Sequence, residues 1–469
     1  MIETRSLRPD SFINPSLPQN ATLPVVWLQQ RAAAAGFLHG RASDPLLAMR
    51  ILAALAGAAA VVVLGRAAQA HHPRLHAWPA LLLAIAPGFV NVCHFATPEA
   101  WLLLGTSTTI AATLAFVRRS AAAWAVGLAL GLTASTKYTA AALALPVLLA
   151  VAWRAPRARD RRDHAFTALA AIALACGVWL EAAGAAALAP HLHLADARML
   201  QASYSTAFLG GLAAALVAAG LAGFVLALLA ARGARWAQRI ARRETASVAA
   251  AAAVGFVLGS PYAVLDPIAF LSGLAFNHQT RFEYKGLAGS ATSFGPYLSL
   301  LGDALTWPLL AAAVVGVLVC LGRVLLRRDD ACAASVIAAA AVAPYVLVSA
   351  SGHQALRFVS PVLPAAAWLA AIGLAVLPRR MAPIARGLVA ARAAGAAGRA
   401  RGRVPRGVRS EGAARAARHV RGQPARGQEA RVHEDQAHHQ HRRPRRARGH
   451  EAPRDRRHPP GQHREADRR

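Results

Sequence analysis

The sequence predicts an all-α, polytopic membrane helix bundle of about eleven transmembrane helices, followed by a disordered C-terminal tail. Three observations carry that prediction. Of the 469 residues, 56% are apolar. Charge-free runs rich in Ala, Leu and Val recur along the first 380 positions, each near the length that crosses ~30 Å of hydrocarbon. Past residue 379 the apolar pattern stops and arginine takes over.

Taken in order, the runs place spans at 46–64, 78–94, 100–117, 121–134, 139–153, 165–188, 205–231, 246–264, 298–322, 331–350 and 359–377. The two short ones are read as a hairpin turning at Thr136-Lys137-Tyr138, because basic loops flank the pair on both sides. Arginines gather in every second loop: Arg66 and Arg74, Arg118 and Arg119, Arg154 to Arg162, Arg232 to Arg243, Arg323 to Arg328, then Arg379 and Arg380. The intervening loops hold only Lys137, Arg198, Arg281, Lys285 and Arg357. Because basic loops stay in the cytoplasm, the first set is predicted inside and the second outside. A multi-pass protein of the cell inner membrane is the expected result.

The net charge of +30 divides unevenly. After Leu377 there are 25 Arg against 8 Asp and Glu, and Phe, Trp, Tyr, Asn, Thr, Cys and Lys are all missing. Such a segment buries too little apolar surface to fold. Its composition is that of GC-rich DNA read in a shifted frame, so residues 378–469 are expected to be disordered and frame-shifted, with no nucleic-acid partner despite the charge. His438, His439 and His441 have metal-like spacing within it, but that setting makes a genuine site improbable. Cys93, Cys176, Cys320 and Cys332 show no CxxC spacing and most sit inside apolar runs, so neither a disulfide framework nor a zinc site is implied. No signal-peptide pattern opens the chain.

Charges that break the inside-positive pattern are costly near lipid and mark function. Glu99, Lys137, Asp266, Arg281, Lys285 and Arg357 do so, with His94 and His278 nearby. All fall at outer ends of different helices, where they would form a site carrying both signs of charge. Several have structural explanations too. In His94-Phe95-Ala96-Thr97-Pro98-Glu99, Thr97 suits an N-cap, Pro98 the first helical position and Glu99 the helix dipole. Asp266, before Pro267, suits a cap. Lys137 has the reach to snorkel. The outer loop at about 265–297 mixes aromatic and basic residues, as a sugar phosphate or a membrane interface would require.

Five segments in order resemble the GT-C superfamily of polyprenyl-phosphate-dependent glycosyltransferases. The likeness is to the family 39 branch, which holds the protein O-mannosyltransferases and the lipid A aminoarabinose transferases. They are Asn14-Pro15-Ser16-Leu17-Pro18; His94 to Glu99; Gly131 to Tyr138; Gly259-Ser260-Pro261-Tyr262 with Asp266-Pro267; and Arg357-Phe358 with Pro361 and Pro364. They cover about residues 10–377. The resemblance implies a hexosyl- or pentosyltransferase with a polyprenyl-phosphate sugar as donor, the bilayer as its setting, and a glycan, lipid or protein hydroxyl on the periplasmic side as acceptor. A carboxylate takes the acceptor proton while cations stabilise the departing phosphate. By position Glu99 looks like the family's second acidic residue and is the catalytic candidate in this chain; Lys137 and Arg357 look like phosphate-side cations, and Tyr138, Tyr262, Asp266 and His94 are expected to bind substrate. No cofactor is implied, with room for a divalent metal.

The chain departs from the family at its front. The family's first outer loop follows a first transmembrane helix and begins with an acidic pair, and neither Glu3 nor Asp10 stands in that context. Residues 1–45 are therefore expected to be the remnant of that loop, residues 46–377 the GT-C-like domain, and the chain weakly active or inactive. Glu99, Lys137 and Arg357 are expected around one outer cavity, with Asp266 and Tyr262 at its rim. The rival reading is a transporter, whose charges and broken helices would sit near mid-membrane.

Overall fold

The computed structural model describes residues 15–154, 164–192, 202–282, 293–350 and 355–376. The tail, the first fourteen residues and the sequence candidates Arg198 and Lys285 lie outside them. Every regular element described is helical.

α1 (Leu17–Ala34) and α2 (Pro45–His71) begin the described chain. Asp44 caps α2, its side chain accepting from the Leu46 N–H, and Pro45 fills the first position where no donor is needed. The expected span at 78–94 is interrupted. It forms α3 (Trp78–Ile85) and α4 (Pro87–Cys93), because Pro87 supplies no N–H and holds Ala86 extended. α5 (Glu99–Val117) is continuous. α6 (Ala123–Ala134) and α7 (Ala144–Trp153) form the hairpin, joined by extended Lys137 and a 3-10 segment, Tyr138–Leu143.

α8 (His164–Trp179) continues through an irregular turn into α9 (Ala185–Leu188). Then come α10 (Ala202–Ala231), α11 (Arg235–Ile240), α12 (Arg243–Gly259), α13 (Tyr262–Leu265) and α14 (Pro267–Phe282). The expected span at 298–322 is split into α15 (Phe294–Leu305) and α16 (Trp307–Leu325). The break is at Thr306, a β-branched residue at φ 79° that no regular helix accommodates. α17 (Ala331–Ser349) and α18 (Leu363–Ala375) complete the described chain.

This is a multi-pass membrane protein. Among the described residues six helical stretches are long and apolar enough to span: Pro45–His71, Glu99–Val117, His164–His191, Ser205–Ala231, Trp307–Leu325 and Ala331–Ser349. Shorter apolar helices, Ala123–Ala134, Tyr138–Trp153 and Ser360–Ala375, fill in between them. α18 is the centre of the main core: Trp368, Ala365, Ala367 and Ala370 are wholly buried, with Leu83, Leu103, Leu114 and Ile337 in the same cluster. α8 and α10 pack together and keep most of their apolar surface exposed, as lipid-facing helices do.

Between apolar helices in lipid, small residues permit close packing and dispersion supplies the attraction. α6 lies against α12 in this manner. A Cβ on Gly127 or Gly131 would collide with the Val248 or Ala252 carbonyl, and one on Gly255 would lie 2.6 Å from the Leu128 oxygen.

Arginines fasten the opposite end of the bundle from Glu99. Arg118 donates to the Ala70 carbonyl at the end of α2, and Arg242 donates to Val151 and to Arg154 (2.8 Å) at the end of α7. Arg154 stacks 4.2 Å over Phe116, and Arg323 pairs with Asp330. Each guanidinium that bonds a carbonyl here satisfies helix-end acceptors.

His72 lies among this group, just past α2. Its ring meets Trp368 edge-on at 5.9 Å, and neither ring nitrogen has a hydrogen-bond partner. Burial, and then the Arg323 charge, hold its pKa below the ordinary value, with Asp330 pulling weakly the other way. The folded state thus resists protonation that the unfolded chain accepts. The resulting stability is full above about pH 6.5 and falls as the pH drops through the depressed value, by no more than ~1.4 kcal/mol per pH unit. Thermal unfolding in detergent between pH 7.5 and 4.5 should show this loss, and His72→Phe should reduce it. An unaltered profile in the variant would clear His72 of the effect.

Candidate functional site

At the other end of the bundle, the carbonyl end of α6 and the start of α5 bring two charges together. Lys137 Nζ donates to Glu99 Oε1 at 2.7 Å, and the residues are 6% and 2% exposed. The pair is 38 residues apart in sequence. Glu99 is the first residue of α5, as expected, but the capping arrangement differs. Pro98 occupies the cap position with no side-chain cap bond, and Thr97 is outside it. Glu99 turns inward instead, because a buried ammonium offers its carboxylate more than an exposed helix end does. Its second oxygen, Oε2, is buried, and the Thr97 side chain and the Glu99 backbone hydrogen-bond to the carboxylate as well.

Lys137 Nζ also lies 4.5 Å from the Phe358 ring centroid, and the Arg357 guanidinium carbon lies 5.4 Å from the same ring. The two cations are therefore no more than about 10 Å apart. Arg357 itself is exposed. Thus Glu99, Lys137 and Arg357, distant in sequence, form one linked group.

The remaining candidates occupy other positions. Tyr138 packs edge-on against Phe270 of α14 at 6.2 Å, and Phe270 meets Phe256 of α12 at 5.8 Å, so its ring joins an aromatic cluster. Asp266 caps α14, its Oδ1 accepting from the Ala269 N–H at 3.1 Å. Tyr262 is half-buried at the start of α13. His94 is exposed at the end of α4. His278 lies against Phe208 at 5.8 Å, toward α10. Among the described residues no three His, Cys, Asp or Glu side chains converge on a metal position.

Two features had no sequence signal strong enough to find them. The first is a staple made by the start of α1. The Ser16 N–H donates to Ser260 Oγ at 2.9 Å, Asn20 Nδ2 donates to the Gly259 carbonyl at 3.2 Å, and the Leu17 N–H donates to the Ser135 carbonyl at 3.1 Å. The turn that presents Lys137 is thereby tied to the end of α12. The second is a buried seam of hydroxyls below the ion pair, with Thr109 and Thr133 2.9 Å apart and Thr106, Ser107 and Thr139 nearly or wholly buried. A small cavity of about 140 Å³ lies beside the site, lined by Pro15, Pro18, Gln19, Met49, Thr97 and Trp101 among others. None of the expected site residues lines it, since Glu99 and Lys137 face each other inside the bundle.

Residues 35–180 match the family of dolichyl-phosphate-mannose-protein mannosyltransferases. The matched segment holds both partners of the ion pair and all of α2 to α7. The GT-C resemblance read from the sequence is upheld by it. Two solved structures are also similar. The oligosaccharyltransferase of Archaeoglobus fulgidus in its apo form is 14% identical with a TM-score of 0.41, over 75% of this chain and 42% of that one. Archaeal oligosaccharyltransferase AglB from the same organism, in complex with an inhibitory peptide and a dolichol-phosphate, is 13% identical with a TM-score of 0.41, over 82% and 45%. The chain spans less than half the length of these structures. No curated protein matches it.

Proposed function

We propose that this chain is a membrane glycosyltransferase that takes a sugar from a polyprenyl-phosphate donor and passes it to an acceptor hydroxyl on the periplasmic side of a cell inner membrane. The observation that carries the reading is the linked group Glu99–Lys137–Phe358–Arg357, whose acidic member and ammonium both lie inside the mannosyltransferase-family segment. As the bond from the anomeric carbon to the phosphate oxygen breaks, negative charge grows on the lipid phosphate. Cations held ready at that point stabilise the transition state more than the ground state. Lys137 and Arg357 have this role, and Tyr138, Tyr262, Asp266 and His94 border the substrate path. Glu99 is the carboxylate of the site: its Oε1 accepts from Lys137, and the carboxylate takes the acceptor's proton.

Donor binding tests the proposal without requiring turnover. The detergent-solubilised full chain is expected to bind a short-chain prenyl monophosphate, and Arg357→Ala to weaken binding at least tenfold, the measure of one lost charge-assisted phosphate contact of about 1.4 kcal/mol or more. Absence of any affinity for the prenyl phosphate would sink the reading. The transporter alternative draws on the helix breaks at Ala86, Lys137 and Thr306, and solute uptake by sealed vesicles carrying the protein would favour it.

A further inference from the structure

We propose that Phe358 is a positioning residue that holds Lys137 and Arg357 together as a two-cation clamp for one phosphate group of the lipid donor. The inference rests on the glycosyltransferase reading above and adds to it a residue without any polar atom.

Both cations fall within the ~6 Å at which an ammonium or guanidinium is attracted to an aromatic face: Lys137 at 4.5 Å and Arg357 at 5.4 Å from the same ring. Two like charges this close repel one another. Glu99 offsets that cost for Lys137 at 2.7 Å. No carboxylate pairs with Arg357 among the described salt bridges. The ring supplies what is lacking, a fixed region of negative potential that favours each cation's presence beside it. An aliphatic side chain of similar bulk would fill the space and supply none of this.

The ring is itself firmly held. Leu356–Phe358 forms one 3-10 turn, and the Ser360 hydroxyl donates to the Arg357 carbonyl at 2.8 Å. A second such turn, Ser360–Val362, is fully buried and leads directly into α18, the most deeply packed helix of the bundle. Pro361, inside that turn, and Pro364, in the first turn of α18, restrict the backbone that follows the ring. Phe358 is thus attached to the core rather than to a loose loop, as a preorganised site requires. A phosphate reaching this point meets two cations already gathered and incurs little further cost in ordering them.

The test uses the full chain in detergent, with Phe358→Leu and Phe358→Tyr. The chain contains two lysines, Lys137 and Lys285, so amine acylation read by mass spectrometry reports Lys137 against an internal reference. Phe358→Leu is expected to raise the relative labelling of Lys137 several-fold, and Phe358→Tyr to leave it near the original. Affinity for a short-chain prenyl monophosphate, measured by calorimetry, should fall about 5- to 30-fold in Phe358→Leu, the range for two ring–cation contacts. It should stay within about threefold in Phe358→Tyr, the ring being retained. Thermal midpoints should be close among all three proteins. If the original chain binds the prenyl phosphate and Phe358→Leu matches it in both labelling and affinity, the clamp is overturned and the glycosyltransferase reading stands. If the original chain binds no prenyl phosphate, both fall together.

Discussion

Lys137→Met is expected to cost ~3–5 kcal/mol of stability, the loss usual when one partner of a buried ion pair is removed. Methionine keeps most of the apolar stem, so little of the effect comes from packing. What remains is a carboxylate at the start of α5, 2% exposed, that has lost its counter-charge. In lipid that charge has no water to turn to. The double variant Glu99→Gln with Lys137→Met should recover most of the loss, because a neutral amide beside a thioether leaves no unpaired charge. Thermal unfolding of both single variants and the double completes the cycle. A coupling energy near zero would mean that the 2.7 Å contact contributes nothing, and that Lys137 is held there by other forces.

Gly131→Val is expected to be nearly as damaging, at ~1–3 kcal/mol from overpacking alone. A Cβ at that position collides with the Ala252 carbonyl of α12, and backbone cannot yield as a side chain can. α6 must therefore tilt or withdraw from α12. α6 ends at Ala134, three residues before Lys137, so the displacement reaches the ion pair. Gly322→Val is the control, since a Cβ there meets nothing within 4 Å. Matching thermal midpoints for the two valine variants would show that close approach of α6 and α12 is not what the glycine provides.

Much of the bundle was legible because lipid imposes a one-dimensional rule: a helix that crosses must be apolar along its length. The six long apolar stretches lie where the hydropathy places them, whereas α1 and α14 fall outside the predicted spans; the turn at Thr136-Lys137-Tyr138 follows from flanking arginines alone. The breaks were less evident. Pro87 announces one in the sequence, whereas Thr306 at φ 79° depends on how α15 meets its neighbours.

For the site, charge out of place was an effective guide to individual residues and a poor guide to partners. Glu99, Lys137 and Arg357 each stood out because isolated charges near lipid are costly. That Glu99 is taken up by Lys137 rather than by its own helix end is a matter of tertiary distance, which local pattern does not carry. Asp266 was equally noticeable and caps α14, as its place before Pro267 allows. Phe358 entered only as part of the Arg357-Phe358 segment, and its role was not legible there: one aromatic residue in a membrane protein is ordinary until two cations are seen beside it.

The staple at the start of α1 bears on the order in which the chain assembles. Ser16 bonds to Ser260, 244 positions later. During synthesis the first of these residues leaves the ribosome long before the second exists, and chains emerge at only ~5–20 residues per second. For that interval of ten seconds or more, α1 has no Gly259 or Ser260 to grip, and the Lys137 turn waits with one of its supports missing. Contacts of such sequence separation form late, after the entropy of closing a long loop has been met. The end of the bundle that carries the ion pair is therefore among the last parts to be completed. Until α12 is inserted, the protein is a set of helices with both members of its ion pair present and the frame that positions them still unfinished.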